Sequence, residues 1–451
     1  MASGFDDGAL MRLTQNLVEA ARRAGADAAD AVAVIDTSLS AQVRLGKLEE
    51  AQRSEETELG LRVFVGRRQA VVSTSDPRER GFAALAERAV AMARVAPEDP
   101  YAGLAPPERL ARQVPDLALF DPSTPPAADA LVERALAAED AARAVPGVSN
   151  SGGASAGFGV GGLVLATSEG FLGSYRASMH SVSVSAIAGQ GTEMERDYDF
   201  AMARHLADLE PADDVGRRAG ERAVRRLHPR KVETRRATVV YDARVASSLI
   251  GHLAGAANGV SVARGTSFLK DRLGERLFGA GIRITDEPGR PRGLASRPFD
   301  AEGVAAAPLA LVEDGVLAAW VLDTASAREL GLETTGHARR SAGSTPSPGI
   351  TNLTLMPGEV SPVELLRDVH EGLYVTELIG SGANLVTGDY SRGAAGFWIE
   401  NGALAQAVSE ITVAGTLPEM FRAMVPANDL VYRRAVNAPT VAVEGMTIAG
   451  L

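Results

Sequence analysis

The chain has no cysteine. That excludes disulfides, thiol nucleophiles and any cysteine-ligated zinc or iron–sulfur site, and it suits a reducing cytoplasm. Histidine is nearly as scarce: six occur in 451 residues, at His180, His205, His228, His252, His337 and His370. No two lie three, four or five residues apart, so no helix can present a zinc-binding imidazole pair on one face. A basic excess is also missing, since the net charge is −11 and the pI about 5.2. A nucleic-acid surface is therefore not expected, and the basic run between Arg225 and Arg236 reads as a solvated linker. No run of about 18 apolar residues occurs, and Asp6-Asp7 interrupt any secretory signal. The expectation is a soluble, cytoplasmic protein with neither nucleic acid nor membrane as a partner. The P-loop pattern is absent as well.

The residues present read as an α+β chain of two lobes, since 451 residues exceed one compact core. Helical periodicity marks 9–24, 79–96, 127–144 and 213–227. Strand patterns mark 31–35, 39–45, 59–65 and 70–74, and 147–189 reads as short strands broken by glycine turns. His228-Pro229 ends the last helix, because the residue before proline avoids the α region. The boundary falls there, giving an N-terminal mixed lobe over 1–230, with a sub-boundary near 97–126, and a mainly antiparallel C-terminal domain over 237–451. In the second lobe 237–241 predicts a strand and 243–257 a helix, and Glu313-Asp314-Gly315 marks a hairpin. Ser361, Pro362 and Glu364 mark a capped helix over 361–369.

The segment 372–402 is the most informative. Residues 373–379 and 394–400 are strand-like, and Asn401-Gly402 predicts a type I′ turn into a strand over 403–408. Between them, 380–384 and 388–393 read as glycine-rich loops. Their Asp389, Tyr390 and Arg392 are placed to contact a ligand or peptide; the plainer reading pairs Asp389 with Arg392 to pin the turn.

This segment, with Asp300-Ala301-Glu302-Gly303 and Gly336-His337-Ala338-Arg339, resembles the TldD/PmbA family, and within it the PmbA (TldE) branch. The resemblance implies a two-lobed peptidase fold in which one branch carries zinc on a His-Glu-x-x-x-His helix completed by a cysteine, and the other serves as its partner. The matching helix here follows Asp242-Ala243-Arg244 and places Ile250, Gly251 and Gly255 at the three functional positions. The resemblance thus implies a subunit with no catalytic residues and no cofactor of its own. It would join a TldD-like subunit that holds the zinc, and the pair would hydrolyse unfolded or modified peptides; an older label is modulator of DNA gyrase. Asn384, Thr387, Asp389, Tyr390 and Arg392 are the candidates for substrate or partner contact. Two other readings remain: a stand-alone homodimeric peptide-binding protein, and a metallopeptidase with atypical ligands, His252 with His337 and a carboxylate.

Taken singly, His252 reads as a hydrogen-bonded core or interface residue, because Leu249, Leu253 and small residues surround it. His370-Glu371 begins like a zincin motif, but Tyr374 and Val375 stand where a second histidine belongs, and the pair reads as a helix C-terminus. Gly157 to Gly162 match the dinucleotide pattern with a strand where a helix should follow. Glu49-Glu50 and Glu55-Glu56 read as solvated faces of the first lobe.

Overall fold

The computed structural model describes residues 7–123 and 125–451, so Asp6 of the N-terminal acidic pair lies outside the described residues. Helix α1 (Asp7–Arg23) leads into β1 (Ala28–Arg44), β2 (Lys47–Val65) and β3 (Arg68–Thr74). There follow α2 (Phe82–Val95), α3 (Ala128–Arg143), β4 (Val148–Thr167), β5 (Leu172–Ala188), β6 (Glu195–Ala203) and α4 (Ala212–Arg225). The six strands form one antiparallel sheet in the order β3-β2-β1-β4-β5-β6. Strands on both sides of the 97–126 connection thus join, β1 pairing β4 from Asp30↔Thr167 to Val43↔Ala154.

Side chains alternate along a strand, which assigns the two faces of this sheet. Ala29, Ala31 and Ala33 of β1 pack with α1 and α2, while Ala41 and Val43, of the same parity, pack with α3 and α4. All four helices therefore cover one face. Asp30 and Val32 point the other way, where Val32 meets Phe299 and Ala342 of the C-terminal half. At Gly60 of β2 the approach is so close that a Cβ would lie 2.0 Å from the Ala342 carbonyl oxygen.

Three strand expectations need correction. Residues 31–35 and 39–45 run together as β1, because β2 and β4 pair the intervening Asp36-Thr37-Ser38 on both edges. The strand at 59–65 starts well before Leu59, at Lys47, with its acidic first half solvent-exposed. The stretch 147–189 is two long strands, not short strands between glycine turns. Its glycines answer to crowding: a Cβ at Gly157 would lie 3.0 Å from Ser181 Oγ of the neighbouring strand. The dinucleotide-like pattern accordingly sits in mid-sheet, without a helix N-terminus.

The C-terminal half begins with β7 (Arg235–Tyr241), α5 (Ala243–Ala256), α6 (Gly259–Ala263), β8 (Ile284–Asp286), β9 (Leu309–Glu313) and β10 (Val316–Leu317). It continues with α7 (Thr324–Glu329), β11 (Ala338–Arg339), β12 (Ser347–Pro348), β13 (Leu353–Leu355), α8 (Pro362–Arg367), β14 (Glu371–Ile379), β15 (Asp389–Glu400) and β16 (Ala403–Thr416). It ends with α9 (Leu417–Arg422), β17 (Met424–Pro426), β18 (Val436–Asn437) and β19 (Val441–Ala449). One sheet has the order β10-β9-β8-β13-β18. The other runs β16-β15-β14-β7-β19-β17, and a further β16–β19 pairing closes five of its strands into a ring. Within that ring only β14 and β7 run parallel.

Local chemistry accounts for the punctuation. Ser361 Oγ accepts from the Glu364 amide and the Glu364 carboxylate accepts from the Ser361 amide, with Pro362 in the first turn of α8. This helix stops at Arg367, so His370 lies beyond its last turn and Gly372 is already in β14, in contrast to the expected helix over 361–369. Asn401 and Gly402, at φ 51° and 81°, make the predicted turn between β15 and β16. No helix among the described residues is long and apolar enough to cross a membrane.

Between the halves lies a buried charge network. Arg62 donates to Asp30 through Nε (2.8 Å) and Nη2 (2.5 Å), and Arg340 Nη1 donates to the other Asp30 oxygen at 2.5 Å. Glu302 stands 3.8 Å from Arg62 and accepts from the Thr324 amide at 2.8 Å. Burial pushes the Asp30 carboxyl up, but Arg340 and Arg62 more than offset it and hold the group ionised. Glu302 goes the other way: burial is the largest cause, reinforced by Asp300 and Asp323 and opposed by Arg62, and its pKa rises to about 7.

The raised pKa sets the sign of a pH effect. Between pH 4.5 and about 7 the folded chain holds a proton on Glu302 that the unfolded chain releases, so its stability contribution is full below pH 4.5 and lost as pH rises through 7. Glu302→Gln should flatten this component. Its stability relative to the parent should improve between about pH 5 and pH 8 by on the order of 1–3 kcal/mol. Parallel urea-unfolding profiles for the two proteins across that range would refute the assignment.

Candidate functional site

The site centres on α5, which leaves the end of β7. Asp242 caps it, accepting from the Arg244 amide (2.9 Å) and from the Tyr374 hydroxyl (2.9 Å). Arg244 reaches across the halves to Asp197 of β6 at 2.8 Å, lining a cavity of about 110 Å³ with Asp197, Arg222, Arg225, Asp242 and Tyr374. One face of α5, with Leu249, Ile250 and Leu253, is buried in the main core of the C-terminal half. The other face carries Gly251, His252 and Gly255. A side chain at Gly251 would have no atom within 4 Å, whereas one at Gly255 would meet Leu385 at 2.9 Å. The three positions singled out from the sequence thus hold a core isoleucine, an open glycine and a glycine closed by Leu385.

Opposite this face runs the start of β15. Asp389, Tyr390 and Arg392 are strand residues, not loop residues, because the 380–388 excursion folds back along them. Ser391 N donates to Gly382 O at 2.7 Å and Asn384 N to Asp389 O at 2.8 Å. A Cβ at Gly382 would fall 1.5 Å from the Ser391 carbonyl oxygen, so this return needs glycine. Asp389 and Arg392 are three apart on a strand and project to opposite faces. The pairing of these two that would pin a tight loop is not formed.

The five candidates divide accordingly. Asn384 Oδ1 accepts from the Val386 amide (2.9 Å), and Thr387 Oγ1 donates to Asp389 Oδ2 (2.6 Å). These three residues hold the loop in shape. Tyr390 and Arg392 share the inward face: Tyr390 is 1% exposed, and its ring meets that of His252 edge-on at 6.0 Å. Burial raises the Tyr390 hydroxyl pKa to about 12. The neighbouring Tyr241 hydroxyl is turned to Met446 Sδ, at 3.2 Å. Burial, and after it the charge of Arg392, lowers the pKa of His252, leaving the imidazole neutral at pH 7. Arg392 has neither ion pair nor hydrogen bond among the described residues, and its buried Nε, His252 Nε2 and Tyr390 Oη all lack partners at hydrogen-bond geometry.

His337 is elsewhere. Its Nδ1–H donates to Thr335 O at 2.7 Å, and its Nε2 faces Asp286 at 3.7 Å, next to the buried charge network. Among the described residues no group of three or more His, Asp or Glu side chains is placed to hold a metal ion. His370 and Glu371 straddle the link from α8 to β14, with His370 O accepting from the Asn401 amide. Sequence reading missed the Arg244–Asp197 seam, since the two residues stand 47 apart and nothing between them signals the contact.

Arg392 is half-buried with its Nε enclosed and unpartnered, and an enclosed donor without an acceptor opposes folding. Arg392→Met should therefore leave the melting temperature unchanged or raise it, with a gain of up to about 1 kcal/mol. It should also shift the His252 titration, followed by NMR, to higher pH. A clear loss of stability with an unmoved His252 would show that Arg392 instead holds the loop.

Three family descriptions match consecutive parts of the chain: PmbA/TldA metallopeptidase domain 1 over 29–93, the central domain over 121–227 and the C-terminal domain over 234–450. Metalloprotease PmbA of Escherichia coli O157:H7 is 38% identical over 426 residues, 94% of this chain and 92% of that protein. A PmbA homolog from Haemophilus influenzae is 37% identical, covering 96% and 94%. Among solved structures, one named for a modulator of DNA gyrase from Bacteroides thetaiotaomicron superposes with a TM-score of 0.89 at 28% identity, covering 98% of each chain. TldE from Thermococcus kodakarensis, at 19% identity and a TM-score of 0.86 over 97% of this chain and all of that one, shares the fold. On matches that together span most of its length, the chain belongs to the PmbA/TldD metallopeptidase family.

Proposed function

We propose that this chain is the non-catalytic, TldE-type subunit of a cytoplasmic two-subunit peptidase, in which a TldD-like partner holds the zinc and this chain helps to bind unfolded or modified peptides. One observation carries the reading: the donor set on α5. Zinc hydrolysis needs three protein ligands and an open position for water. At the helix where the family's zinc branch places its ligands, this chain has Ile250 in the core and glycine at 251 and 255. His252 stands beside Tyr390 and Arg392, and a neighbouring cation disfavours a divalent metal. The residues present do not fit the metal, and we derive no hydrolytic step through this chain. His252 and His337 lie in separate surroundings, which argues against an atypical site built from both.

The test has two parts. The purified chain should hold far less than one zinc per molecule by mass spectrometry and should leave an unstructured peptide uncut. Co-expressed with a homologue bearing the His-Glu-x-x-x-His helix, it should form a 1:1 complex by light scattering, and that complex should cleave the peptide. Arg392→Ala should slow cleavage severalfold with the complex intact, whereas Asp389→Ala should mainly lower the melting temperature by freeing Thr387. One zinc per chain, lost together with activity on His252→Ala, would overturn the reading; so would homodimers alone in the co-expression.

A further inference from the structure

A cleft of about 370 Å³ opens between the end of β6 and residues 290–294 and Tyr432 of the C-terminal half. Arg204, Arg290, Arg292 and Arg434 line it, and among the described residues Asp208 is the one acid on its wall. Two of these arginines are neutralised: Arg292 donates to Asp208 at 2.7 Å and Arg290 to Glu287 at 2.7 Å. The other two are not. Arg204 is 9% exposed, and three of its five N–H groups go to the carbonyls of Ser178, Gly293 and Leu294, which carry no charge. Arg434 lies over the Phe200 ring at 4.7 Å and has neither ion pair nor side-chain hydrogen bond among the described residues. A chain of net charge −11 thus holds two cations without a counter-charge in one cleft.

Their chemistry selects the ligand. The volume falls within the roughly 300–1,000 Å³ of ligand-binding clefts. A guanidinium fork pairs with the two oxygens of a carboxylate, and aromatic rings support two of the forks here, Phe200 beneath Arg434 and Tyr432 at 3.4 Å from Arg290. Tyr432 is 49% and Met202 37% exposed, so the walls also offer apolar surface. Met202 and Ala203 end β6, an edge strand of the first sheet that pairs β5 alone. Such an edge offers main-chain N–H and C=O groups to an extended chain. Cationic forks beside apolar surface and a strand edge fit an acidic peptide rather than a compact anion, and the net charge of −11 disfavours a nucleic acid.

The geometry points to a site in this cleft for an extended peptide segment rich in Asp and Glu, whose carboxylates pair with Arg204 and Arg434. It rests on the peptide-binding part of the proposed function, to which it adds a substrate class. The experiment uses the full isolated chain, so failure of the two-subunit complex to form would sink that reading and leave this one to be judged by its own result. Amidated N-acetyl-Ala-Glu-Ala-Glu-Ala, its glutamine and lysine counterparts, and a single-stranded thymidine pentanucleotide are titrated by calorimetry. The glutamyl peptide should bind about tenfold tighter than the glutaminyl one. Arg434→Gln should remove most of that preference, and Arg434→Lys should retain part of it. Asp208→Asn takes away the acid on the cleft wall and frees Arg292, so it should tighten glutamyl binding severalfold. Asp208 is exposed, and this variant decides the matter even where Arg434→Gln fails to fold. Circular dichroism melts establish which variants are folded. Equal binding of the glutamyl and glutaminyl peptides overturns the proposal, as does tighter binding of the lysyl peptide, a preference that survives in folded Arg434→Gln, an affinity that Asp208→Asn does not raise, or no binding of any probe at millimolar concentration. Tighter binding of the oligonucleotide than of the glutamyl peptide would overturn the assignment to a peptide.

Discussion

The buried network of Asp30, Arg62, Arg340 and Glu302 is the constraint on which the arrangement of the two halves depends. Four ionisable groups leave water together, and each is tolerable only because the next is in place. Asp30 is on β1 and Arg62 on β2, while Arg340 and Glu302 come from the C-terminal half. One carboxylate therefore holds a guanidinium from each half, and small displacements would leave a charge unpaired. The helix-free face of the first sheet is in this way committed to its neighbour, which is why Val32 and Gly60 can be so closely covered.

With the halves fixed, the closed ring of strands fixes α5. Its Asp242 cap is tied to Tyr374 of β14, and its buried face fills the core beside the ring. The opposite face has no freedom to turn away from β15. His252, Tyr390 and Arg392 are thus rigidly presented, although each carries a buried polar atom without a partner.

Much of this was legible in the residues themselves. Asn401-Gly402 and the Ser361-Pro362-Glu364 cap gave turn and helix start, because their chemistry is local. The α+β character followed from the periodicities. The features that were not legible depend on partners far along the chain. Asp389, Tyr390 and Arg392 look like loop residues until Gly382 and Ala383 fold back onto them, and only then does their spacing put Asp389 and Arg392 on opposite faces. The long β4 and β5 were hidden by glycines that serve packing, and the Asp30–Arg340 contact spans 310 residues.

The pairing of β16 with β19 that closes the ring also bears on how the C-terminal half folds. Strand β7 finds its neighbours only in β14 and β19, and Val239 pairs Val443 from the far end of the half. No hairpin within the ring completes it alone, and each long loop must be closed before its contacts repay the lost entropy. Closing the ring therefore costs more chain entropy than forming either of its hairpins. Cutting the chain between β7 and β14 would spare the hairpins of β14, β15 and β16, yet it would remove the connectivity that brings β7 into the ring.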